Sequence, residues 1–220
     1  MLRTLTLPLL ALASLGAAEF DLRLELGLAS GDIDTDTSGT FGGAVNTSSS
    51  GSSDSGSHLA LLGLARLRTD VNRRTHILAG LGLGSDRWSE DRSGGSETYR
   101  VAGARAHGGV AYAFGNGLEV EALGFAGLGR MTADTRIANA SIDQSGTAFS
   151  YGVRVGLTYA IDQRVLLGGY AGFMWTQAEL SGSGTALRDL GNGPNPTAYD
   201  LERDVDIIGP ELGLTVGVRF

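Results

Sequence analysis

His58, His76 and His107 are the only side chains in this 220-residue sequence whose ordinary titration range brackets neutrality, and there is no cysteine. An enzyme built on these residues needs a histidine base beside a serine or an acid. His58 is the best-placed candidate, because it follows a Ser-rich stretch holding Asp54 and Ser57. His76 stands near Arg68 across a short turn, and His107 falls opposite Phe125 if the link at Gly115-Asn116-Gly117 is a simple hairpin; both read as structural. Asp32, Asp34 and Asp36 have the spacing that opens a calcium loop, but such a loop wants Gly at its sixth position and Glu at its twelfth. Thr37 and Gly43 stand there instead. Gly80-Leu81-Gly82-Leu83-Gly84 lacks the spacing of a nucleotide-binding turn, and no helical pattern follows it. The expectation is no catalytic residue, no metal and no cofactor. The absence of cysteine also excludes thiolate metal sites and disulfides, and a net charge of −7 argues against nucleic-acid binding.

A second set of charged residues is more informative, because it falls at period two. Arg23, Arg66, Arg68, Arg105, Arg154 and Arg219, with Asp21, Glu25, Glu119, Glu121 and Glu211, all occupy the less apolar parity of alternating segments. Successive side chains of a strand point to opposite faces, so each segment carries one oily face and one small or charged face. Eight segments behave this way: Phe20 to Ala29, His58 to Thr69, Thr75 to Ser85, Tyr99 to Phe114, Leu118 to Gly129, Ala148 to Ile161, Val165 to Thr176 and Val205 to Phe220. In the first, Leu22, Leu24, Leu26 and Leu28 oppose Asp21, Arg23, Glu25 and Gly27; in the last, Leu212, Leu214, Val216 and Val218 oppose Glu211, Gly213, Thr215, Gly217 and Arg219.

The links between segments alternate in length. Asp70 to Arg74, Gly115 to Gly117 and Asp162 to Arg164 are hairpin turns, and Asn-Gly is a strong local signal for one. Gly31 to Ser57, Asp86 to Glu97, Arg130 to Thr147 and Gln177 to Asp204 are long and polar, and read as four long loops. Pro210 falls on the oily parity of the last strand and removes a ladder donor, so a bulge or a locally broken ladder is expected there.

Oily faces that look outward demand lipid, and in lipid every backbone polar group must be paired within the protein. Strands can then cross only as a closed barrel. Each segment has the ~9–11 residues that a tilted crossing needs. Tyr112, Phe114, Tyr159 and Phe220 fall near the short-turn end of the oily parity, and Phe149, Tyr151, Phe173 and Trp175 near the long-link end, as two interfacial girdles do. A soluble eight-stranded binding barrel would turn the oily parity inward and enclose the other way round. With the oily parity outside, Arg23, Glu25, Arg66, Arg105, Glu119, Glu121, Arg154, Glu211 and Arg219 are enclosed. They are expected to pair as a lumen network, with inward glycines making room for long Arg side chains.

The last strand, with Leu214, Val216, Val218 and the terminal Phe220, resembles the C-terminal assembly signal of bacterial outer-membrane β-barrel proteins, which the barrel-assembly machinery reads. The chain from Glu19 to Phe220 resembles the small eight-stranded outer-membrane family typified by OmpA and OmpX. That resemblance implies an all-β, eight-stranded antiparallel transmembrane up-and-down barrel with short periplasmic turns and four long extracellular loops. It implies contact with outer-membrane lipid and lipopolysaccharide, and a structural or surface-interaction role with an extracellular ligand held by the loops. No periplasmic cell-wall-binding domain is expected after the last strand. Two alternatives stay open: a low-conductance porin-like channel through the same lumen, and an outer-leaflet lipid A-modifying enzyme of the kind this architecture also hosts. Arg3, the apolar run Leu5 to Ala13 and the small residues Gly16 to Ala18 form a signal peptide, residues 1–18, for export through the Sec pathway, leaving 19–220 as the barrel in the bacterial outer membrane. Fourteen residues from Leu5 to Ala18 are too few for a spanning helix, which needs about 20.

Overall fold

The computed structural model describes residues 19–69, 72–92, 95–137, 140–189 and 193–220; the expected signal peptide lies outside them. Eight strands follow one another: β1 (Glu19–Phe41), β2 (Ala44–Thr69), β3 (Asn72–Arg92), β4 (Gly95–Ala113), β5 (Leu118–Ile137), β6 (Ala140–Ile161), β7 (Val165–Asp189) and β8 (Pro194–Arg219). Each pairs antiparallel with its sequence neighbour, and β8 returns to β1, so the sheet closes into a barrel. At the closing seam Phe20 and Phe220 exchange both backbone hydrogen bonds, at 3.2 and 2.9 Å.

The turns at 115–117 and 162–164 are as short as expected, while part of the link expected from Asp70 to Arg74 lies outside the described residues. Asp162 and Gln163 both take positive φ, 50° and 62°, the primed geometry whose twist matches a two-residue hairpin. At Gly115 and Gly117 φ is 88° and 85°, which only glycine tolerates cheaply, and Asn116 Oδ1 accepts the Leu118 N–H at 3.1 Å.

The other end differs from expectation. Over their described residues the four polar links are not irregular loops; they continue the ladder. β1 and β2 pair through Thr40 and Ala44, and β7 and β8 through Asp189 and Pro194. β8 is 26 residues long. At about 3.3 Å per residue and a tilt of roughly 40°, it rises roughly 65 Å, against a lipid belt about 25 Å tall. More than half of the barrel therefore stands clear of the belt. A register shift opposite Ala29 and Gly31 marks the passage from one part to the other on β2. The expected disturbance at Pro210 is a broken ladder without a bulge. Pro210 pairs in register with Phe173 on β7, whereas the β1–β8 register omits Ser30 and Gly31 between Ala29 and Asp32.

Sidedness is as the alternation requires. Leu24, Leu26, Leu28, Val155, Leu212, Leu214 and Val216 are exposed on the outer wall, Leu214 by 69%, while Arg23 and Glu121 are 2% exposed inside. A belt of this size, in contact with nothing in the protein, has only lipid to cover it. On one edge Tyr112 packs against Phe114 at 5.2 Å. On the other, Phe149, Tyr151, Trp175 and Phe173 form a continuous aromatic run, with Tyr151 and Trp175 stacked at 5.4 Å.

Above the belt the sidedness reverses. Ile33, Trp88, Tyr99, Val101, Met131, Val205 and Ile207 turn inward as an apolar core, and Asp32, Asp34 and Asp36 turn outward. Near the strand tips Ile142, Ala186 and Leu201 form a smaller apolar cluster.

Candidate functional site

The barrel axis carries the densest chemistry, in tiers set by strand register. The lowest tier lies just inside the short-turn mouth. Arg23 grips Glu121 with both Nη atoms, at 2.5 and 2.7 Å, and also reaches Asp21 Oδ2 at 2.6 Å. Arg66 donates to Glu119 at 2.8 Å and to Asp21 at 3.2 Å. Arg219 donates through Nε to Asp21 at 2.8 Å and through both Nη atoms to Glu119 at 3.0 Å. Three guanidiniums thus meet three carboxylates in an alternating cage, the arrangement that makes buried charge tolerable. Arg68, at the mouth, is exposed and pairs with Glu19 at 2.7 Å.

The middle tier is less complete. Arg154 donates to Glu25 at 2.6 Å, Arg105 pairs with Asp86, and His58 Nδ1 shares a 2.6 Å hydrogen bond with Asp86. Arg105 lies over the Phe125 ring and Arg154 over Tyr170, each at 5.1 Å. Both carboxylate oxygens of Glu211 lack a hydrogen-bond partner, as do Tyr170 Oη and Arg154 Nη2. Two cavities of about 10 Å³ lie here. One touches Glu25, His58, Arg105 and Glu211, and the other touches Arg23, Glu25, Arg154 and Tyr170. Each has room for about one water molecule. The apolar core lies above this tier. Beyond it Glu97 gathers Tyr99 Oη at 2.7 Å, Thr135 Oγ1 at 3.1 Å and Arg203 Nη1 at 3.2 Å.

Glycines supply the space. A Cβ on Gly127 would sit 2.6 Å from Arg105 Cγ, one on Gly217 3.0 Å from Arg23 Cγ, and one on Gly213 2.5 Å from the Tyr170 ring. Inward glycine is thus the condition for enclosing long side chains in an eight-stranded barrel.

All nine residues expected in the lumen network face the axis, and eight of them find ionic partners. Glu211 does not, because Arg154 and Arg105 are committed to Glu25 and Asp86. Asp86, the partner of Arg105, was hidden in a segment that reads as a loop. His58 is also differently placed. It is not at an outer rim but 4% exposed within the lumen, across from Gly27. His107 does lie opposite Phe125, their rings 5.7 Å apart, and His76 does pair with Arg68. Among the described residues no group of three or more His, Asp or Glu side chains is arranged to hold a metal ion.

No protein-family model and no curated protein sequence matches the chain. Among solved structures it is similar to the outer membrane protease OmpT of Escherichia coli (9% identity, TM-score 0.47, covering 90% of this chain and 96% of that one). It is also similar to the outer membrane protein OprG of Pseudomonas aeruginosa (14%, 0.47, 91% and 95%) and to Neisserial surface protein A (14%, 0.40, 91% and 97%). Such distant likeness says nothing of activity or ligand. By its closed ring, its apolar belt and its two aromatic edges, the chain is a transmembrane β-barrel of the outer-membrane kind.

Proposed function

We propose that this outer-membrane barrel is a closed, non-catalytic scaffold that carries a rigid β-walled collar into the space outside the cell. Its residues 1–18 serve as the export signal, and Leu214, Val216, Val218 and Phe220 serve as the mark for the barrel-assembly machinery. The two aromatic bands anchor it at the interfaces, where amphipathic rings are favoured. Interaction with an extracellular ligand falls to the collar.

One observation carries this reading. Two layers lie in series along the axis, the Arg23–Glu121–Asp21–Arg66–Glu119–Arg219 cage and the Ile33–Trp88–Met131–Ile207 core above it, and on this reading both close it. Ions would have to break charge-assisted pairs in one layer and enter a dry layer in the next. His58, the best enzymatic candidate, is shut inside between Asp86 and Glu25, 2.6 and 3.9 Å away, where no outer-leaflet lipid reaches it. Planar-bilayer recording tests the reading: the purified barrel is expected to be silent at 1 M KCl, and steady openings that persist through repeated purification contradict it.

The channel reading has one observation in its favour, the incomplete middle tier with its unpartnered Glu211 and two small cavities. A channel through that tier must also cross the apolar core. It therefore predicts that Met131→Ala and Ile207→Ala together raise conductance, whereas the scaffold reading predicts silence in both proteins.

A further inference from the structure

The outer wall is not the same all round. On β8 and β1 the belt is built from large side chains, Leu212, Leu214 and Val216 beside Leu22, Leu24 and Leu26, and the wall above it is acidic. Asp34 lies directly across from Asp206 and Asp36 from Asp204, with Asp32 and Glu179 alongside. Half a turn away, on β4 and β5, the belt is thin. At mid-belt its outward positions are Ala104, Ala106 and Gly108 on β4 and Ala122, Gly124 and Ala126 on β5, with Leu128 above them on β5 and Val110 and Val120 below. A Cβ on Gly108 would meet no atom within 4 Å, and one on Gly124 only backbone oxygens at 3.8 and 3.9 Å, so the wall is open there.

Above this shallow stretch, beyond Leu128 on β5 and beside Leu81 and Leu83 on β3, stand three outward arginines. Arg87 on β3 faces Arg100 on β4 across the ladder, and Arg130 on β5 sits beside Ala102. Like charges directly opposite each other in a sheet are unfavourable unless an anion lies between them. Arg87 has no hydrogen bond or ion pair among the described residues. Arg100 is 3.6 Å from Asp134, both well exposed, and Arg130 donates to Ser145 at 2.9 Å. Asp134 is the carboxylate closest to the trio; Asp143 lies across from it, farther from the belt.

We propose that the β3–β5 face binds a phosphorylated, multiply acylated lipid of the outer leaflet, with its phosphates on Arg87, Arg100 and Arg130 and its acyl chains laid in the Ala/Gly trough of β4 and β5, which Leu81, Leu83 and Leu128 border. The site rests on the outer-membrane reading above. Phosphate and hydrocarbon are offered at one angular position and in the vertical order in which such a lipid presents them. Guanidiniums near an anionic surface add to one another's attraction, and their planar forks suit phosphate oxygens. The acidic β7–β8–β1 wall repels the same headgroup, so the lipid is held on one side. A neighbouring copy seated acidic wall to basic wall is the competing occupant.

The test uses the full barrel refolded in phosphatidylcholine nanodiscs, after heat-modifiable migration on a gel has shown it folded. Bisphosphorylated lipid A, its dephosphorylated form and inorganic phosphate are the probes, read by native mass spectrometry and by titration. The wild type is expected to retain one lipid A, to bind the dephosphorylated form about tenfold more weakly or worse, and to ignore inorganic phosphate. Replacing all three arginines by Ser, or Ala106 and Gly108 by Leu, is expected to lose that preference, whereas Asp34→Asn with Asp206→Asn keeps it. Equal binding of the two lipid forms by the wild type overturns the site. So does tight binding of phosphate alone, or a dimer that disappears in the triple-Ser variant. Failure of the outer-membrane reading shows separately, as a wild type that neither migrates heat-modifiably nor fractionates with outer membranes.

Discussion

Within the belt and above it, the same eight strands run with the same pleat, yet their chemistry is inverted. Along β1 the outward parity reads Leu22, Leu24, Leu26, Leu28 and then Asp32, Asp34, Asp36; the inward parity reads Asp21, Arg23, Glu25 and then Ile33. β8 repeats this in the other direction, with Val216, Leu214 and Leu212 giving way to Asp206 and Asp204 outside, and Glu211 to Ile207 and Val205 inside. The change falls within about four residues, where the β2 register shifts and the β1–β8 ladder opens at Pro210. A strand has no preferred oily side of its own. The solvent outside decides: lipid draws the apolar face out and leaves the charges to pair within, and water draws the charges out and leaves the apolar face to pack within.

This contrast is open to direct attack. The largest effect is expected from the lower lumen, where Arg23→Ala takes from Glu121 its two-pronged guanidinium partner and leaves Asp21 to Arg66 and Arg219. A loss of about 3–5 kcal/mol in urea unfolding from vesicles is expected, and a loss under 1 kcal/mol would mean that the cage is not holding charge in a dry place. On the outer wall, Leu24→Arg at mid-belt is expected to cost about 2–4 kcal/mol; an unchanged transition would deny that Leu24 meets lipid. Ile33→Ala in the upper core is expected to cost about 2–4 kcal/mol and, on the scaffold reading, to leave conductance at baseline because the cage remains. Smallest of all, Asp34→Asn should stabilise by at most about 1 kcal/mol, because it relieves the repulsion with Asp206. If it destabilised by more than that, the acidic wall would not be facing water.

The lower half was legible in the sequence because lipid and pleat together impose a clean alternation. The upper half was not, for a physical reason visible in Gly31 to Ser57. Its outward positions are mostly Ser, Thr and Asp, and most of its inward ones are no larger, so no apolar period marks it as a strand. Once those segments read as loops, Asp86 and Trp88 are lost with them. Arg105 is then left without its partner, and the apolar core on the upper axis goes unseen. His58 was misplaced by the same error, since a loop after Leu28 puts it at a rim that in fact lies many rungs farther out. Glu211 shows the opposite failure. Its parity places it correctly, but parity cannot say that the nearby arginines are already committed to Glu25 and Asp86. Pro210 was legible because a missing N–H has a consequence that does not depend on context.

The natural chain has no cysteine, so a single spin label can be walked along one wall of β1 without background. With labels at positions 22, 24, 26, 28, 32, 34 and 36 in lipid vesicles, collision with dissolved oxygen and with a water-soluble nickel complex reports what each outward side chain meets. The inversion predicts oxygen-dominated collision from 22 to 28 and nickel-dominated collision from 32 to 36, with the crossover between 28 and 32. Nickel-dominated collision at 24 and 26, or lipid-like collision at 34, would contradict it.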